Sequence, residues 1–188
     1  MDVNDPLYFT RDTFGSECPV GAPCDPGLVV RVGDLVNIPA GTPTSGMEPN
    51  GWAIVGLPAN FYSRAEAHVR SGVLLGYLAE VRFTPLGFGW AYGDGSHGRT
   101  GTGGASWAAQ GRAEFDETAT SHVYGESGSF VVTPRALYTA EFRFNSGAWR
   151  TVAGTVSVAG PAFTVVVGQA KTLLVGSDCR GKPQAPGC

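Results

Sequence analysis

The sequence predicts an all-β fold, and three observations carry that expectation. From Gly51 onward, short runs rich in Val, Phe, Tyr, Trp and Thr recur between glycines and prolines. Several of those runs alternate apolar and polar residues with period two, the period of a half-buried strand. Helix-forming stretches are nearly missing. Only SRAEAHVRSG, Ser63 to Gly72, is expected to hold a helical turn or two, with Ser63 as N-cap and Gly72 as the stop. At 188 residues the chain can bury a substantial core.

Residues 1–50 are rich in Pro and Gly and read as an arm lying on a larger body, with one strand in LVVRVGDLVNI, Leu28 to Ile38. Residues 51–144 read as the main β body, and residues 145–188 as C-terminal strands and a tail packed on it. In VLLGYLAEVRF one strand would place Val73, Leu75, Tyr77, Ala79, Val81 and Phe83 on one face, with Leu78, Glu80 and Arg82 on the other. LYTAEFRF is clearer: Tyr138, Ala140, Phe142 and Phe144 face in, Thr139, Glu141 and Arg143 face out. The NSG turn, Asn145 to Gly147, then leads into AWRTVAGTVSV. A three-residue loop sets Phe142 opposite Arg150, Ala140 opposite Val152 and Arg143 opposite Trp149. Arg150 alone breaks the apolar parity.

TVAGTVSVAGPAFTVVVGQA, Thr151 to Ala170, carries no charge but contains a Gly-Pro pair and four hydroxyl residues. Its first half alternates with period two, so it reads as strand and not as a membrane-inserted helix. One long irregular insert remains, His97 to Ala119. A loop of that length tends to be functional or mobile.

Net charge is −3 and no basic block stands out. That composition gives no footprint for nucleic acid or for an anionic membrane surface. Eleven Arg against two Lys, with 28 Gly and only two Ile, follow GC-rich codons and point to a high-GC bacterial source. The four cysteines sit at the ends: Cys18 and Cys24, Cys179 and Cys188. Neither spacing suits zinc and no histidine pair matches them. Two local disulfides, Cys18–Cys24 and Cys179–Cys188, are the simplest pairing, each contributing roughly 2–3 kcal/mol on the chain-entropy account. Paired cysteines imply an oxidising compartment and hence a secreted or cell-surface protein. The opening MDVNDPLYF has neither the basic start nor the apolar run of a secretory signal, and Met1 is read as the start of a trimmed chain.

FGWAYGDGSHG, Phe88 to Gly98, contains the string G-x-G-x-x-G. A dinucleotide site needs a helix after the glycines to receive the pyrophosphate. SHGRTGTGGAS cannot sustain one, and Asp94 would place a carboxylate among the phosphates. The string is read as a turn. Together with SHVYGESGSFVV, Ser121 to Val132, it resembles the polycystic kidney disease (PKD) domain family. Trp90, Tyr92, Gly93, Asp94, Gly95, His122, Tyr124, Gly128, Phe130 and Val132 fall on that family's pattern positions, over about residues 51–144. Ala91 stands where the family usually has an acidic residue, and the connecting loop is far longer. The resemblance implies an immunoglobulin-like β-sandwich, enlarged here by the N-terminal arm and a C-terminal β-hairpin extension. In it Trp90 and Tyr92 would fill the space between sheets. Gly93 and Gly95 would permit positive φ around Asp94, whose carboxylate would accept backbone N–H bonds. The polar tips of His122 and Tyr124 would bond neighbouring loop backbone.

No G-x-S-x-G elbow exists, and His68, His97 and His122 lie far apart, so no catalytic residue is assigned. Asp94, Glu114, Asp116 and Glu117 lack the spacing of a calcium loop and read as a solvated acidic run. No cofactor or metal is assigned. The aromatics off the core are the candidates for contact. Trp149, with Arg143 beside it, lies on the outward parity of its strand, and Trp107 sits in the Gly-rich insert, where it either contacts a partner or folds over a sheet edge as a lid. The function expected is a non-catalytic adhesion or interaction module of an exported bacterial protein. Its partner would be a protein or glycan at the cell surface. The alternative is a carbohydrate-binding module associated with a secreted glycan-active enzyme.

Overall fold

The computed structural model describes Phe9–Arg11 and Glu17–Pro19, Pro23, Asp25 and residues 27–170. Among these there is no α-helix. Strands β1 (Phe9–Arg11) and β2 (Glu17–Pro19) pair antiparallel, with Cys18 opposite Thr10. Cys24, Cys179 and Cys188 lie outside the described residues, and with them the expected disulfides.

Eleven further strands build the body: β3 (Thr44–Glu48), β4 (Trp52–Ile54), β5 (Pro58–Arg64), β6 (His68–Leu74), β7 (Tyr77–Ala91), β8 (His97–Thr100), β9 (Ser121–Val123), β10 (Gly128–Phe144), β11 (Arg150–Thr151), β12 (Val156–Ala159) and β13 (Phe163–Gly168). The large sheet runs β4-β13-β10-β7-β6, with β11 and β12 also on β10 and β8 on β7. A small sheet runs β3-β5-β9. The two enclose one apolar core. Met47, Ala59 and Phe61 come from the small sheet, and Val81, Phe83, Phe88, Trp90, Ala136, Tyr138, Ala140 and Phe142 from the large one. The all-β sandwich expectation holds. Trp90 and Tyr92 are both buried in it, although Trp90 Nε1 has no acceptor among the described residues.

β7 explains why its sequence reads irregularly. Tyr138 pairs with Pro85 and Leu137 with Gly87, so Leu86 is an extra residue, a β-bulge. Before the bulge the odd residues Ala79, Val81 and Phe83 point inward; after it the even residues Phe88 and Trp90 do. The hairpin read at NSG is also present. Phe142 pairs with Arg150 and Glu141 with Thr151. The register then slips by two residues, with Tyr138 opposite Val156. The slack lies at Ala153, which leaves β10 to accept from Val32 N and to donate to Val30 O at 2.7 Å. Arg150, the exception in parity, sits with its guanidinium carbon 5.3 Å from the Phe142 ring centroid and donates to Leu28 O.

Three local expectations fail. LVVRVGDLVNI is not a strand: residues 32–35 form a 3-10 turn, because the Asp34 carboxylate accepts from Arg31 N at 2.8 Å and bends the chain. Val30, Leu35 and Ile38 nevertheless reach the core. Ser63 to Gly72 is not helical but belongs to β5 and β6. Pairing of Ser63 with Ser45, and of His68 with Phe83, outweighs the local helical preference. Nor is VLLGYLAEVRF one strand. Leu75 (φ 51°) and Gly76 (φ 87°) form a two-residue hairpin turn between β6 and β7. The turn sets Val73 opposite Leu78 on the exposed face and takes Leu75 out of the sheet.

Leu75 is an exposed L-residue in the left-handed region, which costs about 1–2 kcal/mol. Leu75→Asn, which creates an Asn-Gly turn, is therefore expected to stabilise the protein by about 0.5–1 kcal/mol in urea unfolding.

Candidate functional site

The Gly93–Ser96 turn closes β7 back toward β8. Gly93 and Gly95 take φ of 87° and 91°, and a Cβ at Gly93 would lie 2.7 Å from Val131 O. Between them Asp94 Oδ1 accepts from Ser96 N at 2.9 Å and from Ser96 Oγ at 2.5 Å. Its Oδ2 lies 2.7 Å from His122 Nε2. The His122 ring stacks on Tyr92 at 4.0 Å and 8° and meets the edge of Tyr124 at 4.6 Å. Tyr124 OH donates to Tyr92 O. The expected roles of Gly93, Asp94, Gly95 and Tyr124 are all present. His122 differs, since it bonds the Asp94 carboxylate and not loop backbone. Gly128 and Phe130 open β10, with Phe130 stacked on Tyr124 at 4.9 Å.

Burial raises the Asp94 pKa. The Ser96 hydroxyl and amide bonds, then the His122 bond and charge, outweigh it and hold the carboxyl at about 2, below its ordinary 3.8. Burial first, then the Asp94 charge, pushes the Tyr92 phenol up to about 12.

Ser96, His122 and Asp94 are the residue types of a hydrolytic triad, but they are wired differently. A triad needs the carboxylate on one imidazole nitrogen and the hydroxyl on the other. Here Asp94 and Ser96 both reach Nε2, at 2.7 and 3.3 Å, and the serine gives its proton to Asp94. This cluster is a clasp between the β7–β8 turn and β9. His68 is structural as well. Gly41 N donates to its Nε2, so Nδ1 carries the proton and donates to Glu66 O, both at 2.8 Å. Among the described residues no group of three or more His, Cys, Asp or Glu gathers to hold a metal ion. None of their helices is long and apolar enough to cross a membrane.

The insert His97 to Ala119 is ordered by side chains that sequence reasoning missed. Its first four residues are β8. Asn60, fully buried on β5, donates to Ala105 O at 2.8 Å and to Glu48 Oε2 at 3.1 Å, and accepts from Thr118 Oγ1 at 2.8 Å. Glu48 Oε2 also accepts from Trp107 N at 2.6 Å. Gly103 lets the loop approach β5: a Cβ there would fall 1.8 Å from Ser63 O. Trp107 is only 4 % exposed, with Nε1 donating to Asp116 O. It is a lid and not part of a contact surface. Its ring packs on Phe115, which in turn meets Trp52, 46 % exposed on the edge strand β4. Nothing in the local pattern marks Trp52 as exposed.

Trp149 lies on the face of the large sheet opposite Trp90, as its parity requires. It is half-buried, less open than an outward Trp is expected to be. The reason is that Arg82 and Arg143 both lie against it, each guanidinium carbon 4.5 Å from the ring centroid. Each arginine also meets the glutamate directly across the β7–β10 ladder. Arg82 donates to Glu141 at 2.7 Å and Arg143 to Glu80 at 2.5 Å. The result is a charge-balanced patch around one indole. A hollow of about 310 Å³ opens beside it, lined by Ser71, Leu78, Glu80, Arg143, Asn145 and Ser146.

No protein-family model matches this chain, and no curated protein matches it.

Two outcomes test the polar anchors. Asp94→Asn is expected to lower stability by about 1.5–3 kcal/mol near neutral pH, because bonds to a charged acceptor are lost. A carboxylate with a depressed folded pKa stabilises above its unfolded value and loses that contribution as pH falls through the folded one. The gap between wild type and Asp94→Asn in urea midpoint should therefore shrink from pH 3.8 downward and close near pH 2. Asn60→Ala is expected to cost about 2–4 kcal/mol by stranding its buried partners. Tryptic cleavage at Arg112 in the released insert would report it.

Proposed function

We propose that this chain is a non-catalytic interaction module of an exported bacterial cell-surface or extracellular protein. It binds a protein partner through the sheet face that carries Trp149, Arg143 and Arg82. The observation that carries this reading is the placement of a tryptophan on a polar sheet face. Each exposed guanidinium–indole contact is worth about 0.5–1 kcal/mol, and exposed ion pairs of this kind about 0–1 kcal/mol. Such contacts are a weak reason to keep so large an aromatic outside the core. Tryptophan and arginine are, however, the residues that dominate binding at protein interfaces.

A protein partner fits better than a glycan here. Sugar stacking needs an open ring face, and guanidinium groups already cover the Trp149 ring. The carbohydrate-binding alternative rests instead on Trp52, whose ring is the more open of the two. The resemblance to PKD domains supports the interaction reading by analogy. So do the terminal cysteines, if paired as Cys18–Cys24 and Cys179–Cys188 in an oxidising compartment.

Trp149→Ala is expected to leave the fold intact and to weaken binding to a partner from a bacterial surface extract by about 30-fold or more, the effect of a hot-spot residue. Surface plasmon resonance and thermal unfolding on the same samples separate the two effects. Unchanged binding would refute the assignment of this face. Glycan-array binding abolished by Trp52→Ala would move the reading to the carbohydrate module.

A further inference from the structure

Among the described residues β6 is the outermost strand of the large sheet, paired only with β7. Its seven residues contain no proline and no register shift. The hairpin at Leu75–Gly76 decides which backbone groups face where. In a two-residue hairpin the closing pair, here Leu74 and Tyr77, exchanges both hydrogen bonds. Leu74, Gly72, Arg70 and His68 therefore turn their N–H and C=O toward β7. Val69, Ser71 and Val73 turn theirs away from it. Among the described residues, no other segment makes a backbone bond to those three.

The side chains of the same three residues stand on the outer face, with Val69 48 % and Val73 49 % exposed. On the inner face Leu74 is buried and Arg70 is exposed. Ile38 lies under Gly72, where a Cβ would come within 2.7 Å of its Cγ1, and Gly41 is bonded to His68. Among the described residues, this leaves an edge of backbone donors and acceptors without partners, flanked by two valines. Such an edge is a template for another strand.

The residue order selects the strand that fits. A second β6 laid antiparallel about a two-fold axis through Ser71 sets Ser71 against Ser71 and each Val69 against a Val73. All of these are pairs whose outward groups meet, so each exchanges both bonds. Arg70 then falls opposite Gly72, which offers no side chain to clash with it. Moving the axis by half a residue breaks the match of outward groups. Moving it by a whole residue keeps that match but sets valine against serine. The charges in the next column, Glu80 and Arg82, are paired within each copy, to Arg143 and Glu141, and present no unbalanced repulsion.

We propose that β6 pairs with β6 of a second copy of this chain, forming a symmetric dimer through one continuous sheet with its two-fold axis at Ser71. The axis is perpendicular to the sheet, so both Trp149 faces look the same way. Two contact surfaces on one side of one body bind a surface-attached partner with avidity.

The test does not depend on Trp149 and stands or falls separately from the proposed function. The intact chain is examined by sedimentation velocity and light scattering from about 1 to about 200 μM, the range of micromolar association. Hydrogen exchange is followed at the Val69, Ser71 and Val73 amides. Ser71→Pro removes an outward N–H without touching a bond to β7, a place where an edge strand tolerates proline. Val69→Lys/Val73→Lys serves if that variant does not fold. The expected result is a concentration-dependent dimer in which those three amides slow together. Either variant should weaken it by at least about tenfold, with circular dichroism unchanged. A chain that stays monomeric throughout overturns the proposal. So does a dimer that survives both variants, or one whose β6 amides stay unprotected.

Discussion

β10 is the constraint on which the rest of the molecule depends. Seventeen residues long, it pairs with β7 over its C-terminal part and with β11, β12 and β13 along its length. Every other described strand of the large sheet takes its position from this one, directly or through β7 and β13. The inward residues Val132, Ala136, Tyr138, Ala140 and Phe142 form its buried row. Because side chains alternate across a strand, a one-residue slip would send that row to solvent. The register is therefore held by the whole core. It also places Glu141 and Arg143 outward, where the Trp149 patch is assembled.

Polar anchoring complements this frame where strands end. Asp94 ties a glycine turn to β9 through His122, and Asn60 ties the insert to β5. Each is a covered or buried polar group with its capacity filled by several partners, the condition under which such groups add order rather than cost. The insert is consequently a packed lid over the small sheet, with Trp107 as its apolar anchor. The same wiring keeps the Asp94–His122–Ser96 cluster structural, since its bonds converge on one nitrogen.

The surface that remains divides by chemistry. The outer face of β7, β10 and β11 is charged but internally balanced, with an indole held between its arginines. The edge at β6 carries valines and, among the described residues, lacks partners for its outward backbone groups. A balanced patch favours specificity over bulk attraction, whereas a free strand edge favours association in a fixed register. The two features lie on adjacent columns of one sheet, so association at the edge would govern how many patches face one way.

The sequence by itself determined what period and composition can encode. That includes the all-β class, the inward row of β10, the NSG hairpin with Phe142 opposite Arg150, and the glycine turn around Asp94. These are local, because alternation and positive-φ residues act within a few positions. Tertiary structure decided the rest. The bulge at Leu86 inverts the parity of β7 midway, and the hairpin at Leu75–Gly76 splits what reads as one strand. Ser63 to Gly72 is drawn into two strands by its pairing partners, against its own helical preference. Trp107 and Trp149 look alike in sequence, each following a short run of Gly, Ala and Ser. One is buried through Glu48 and Asp116, and the other is held at the surface by two arginines. Those partners lie up to 67 residues away along the chain, from Arg82 to Trp149, and only folding brings them together.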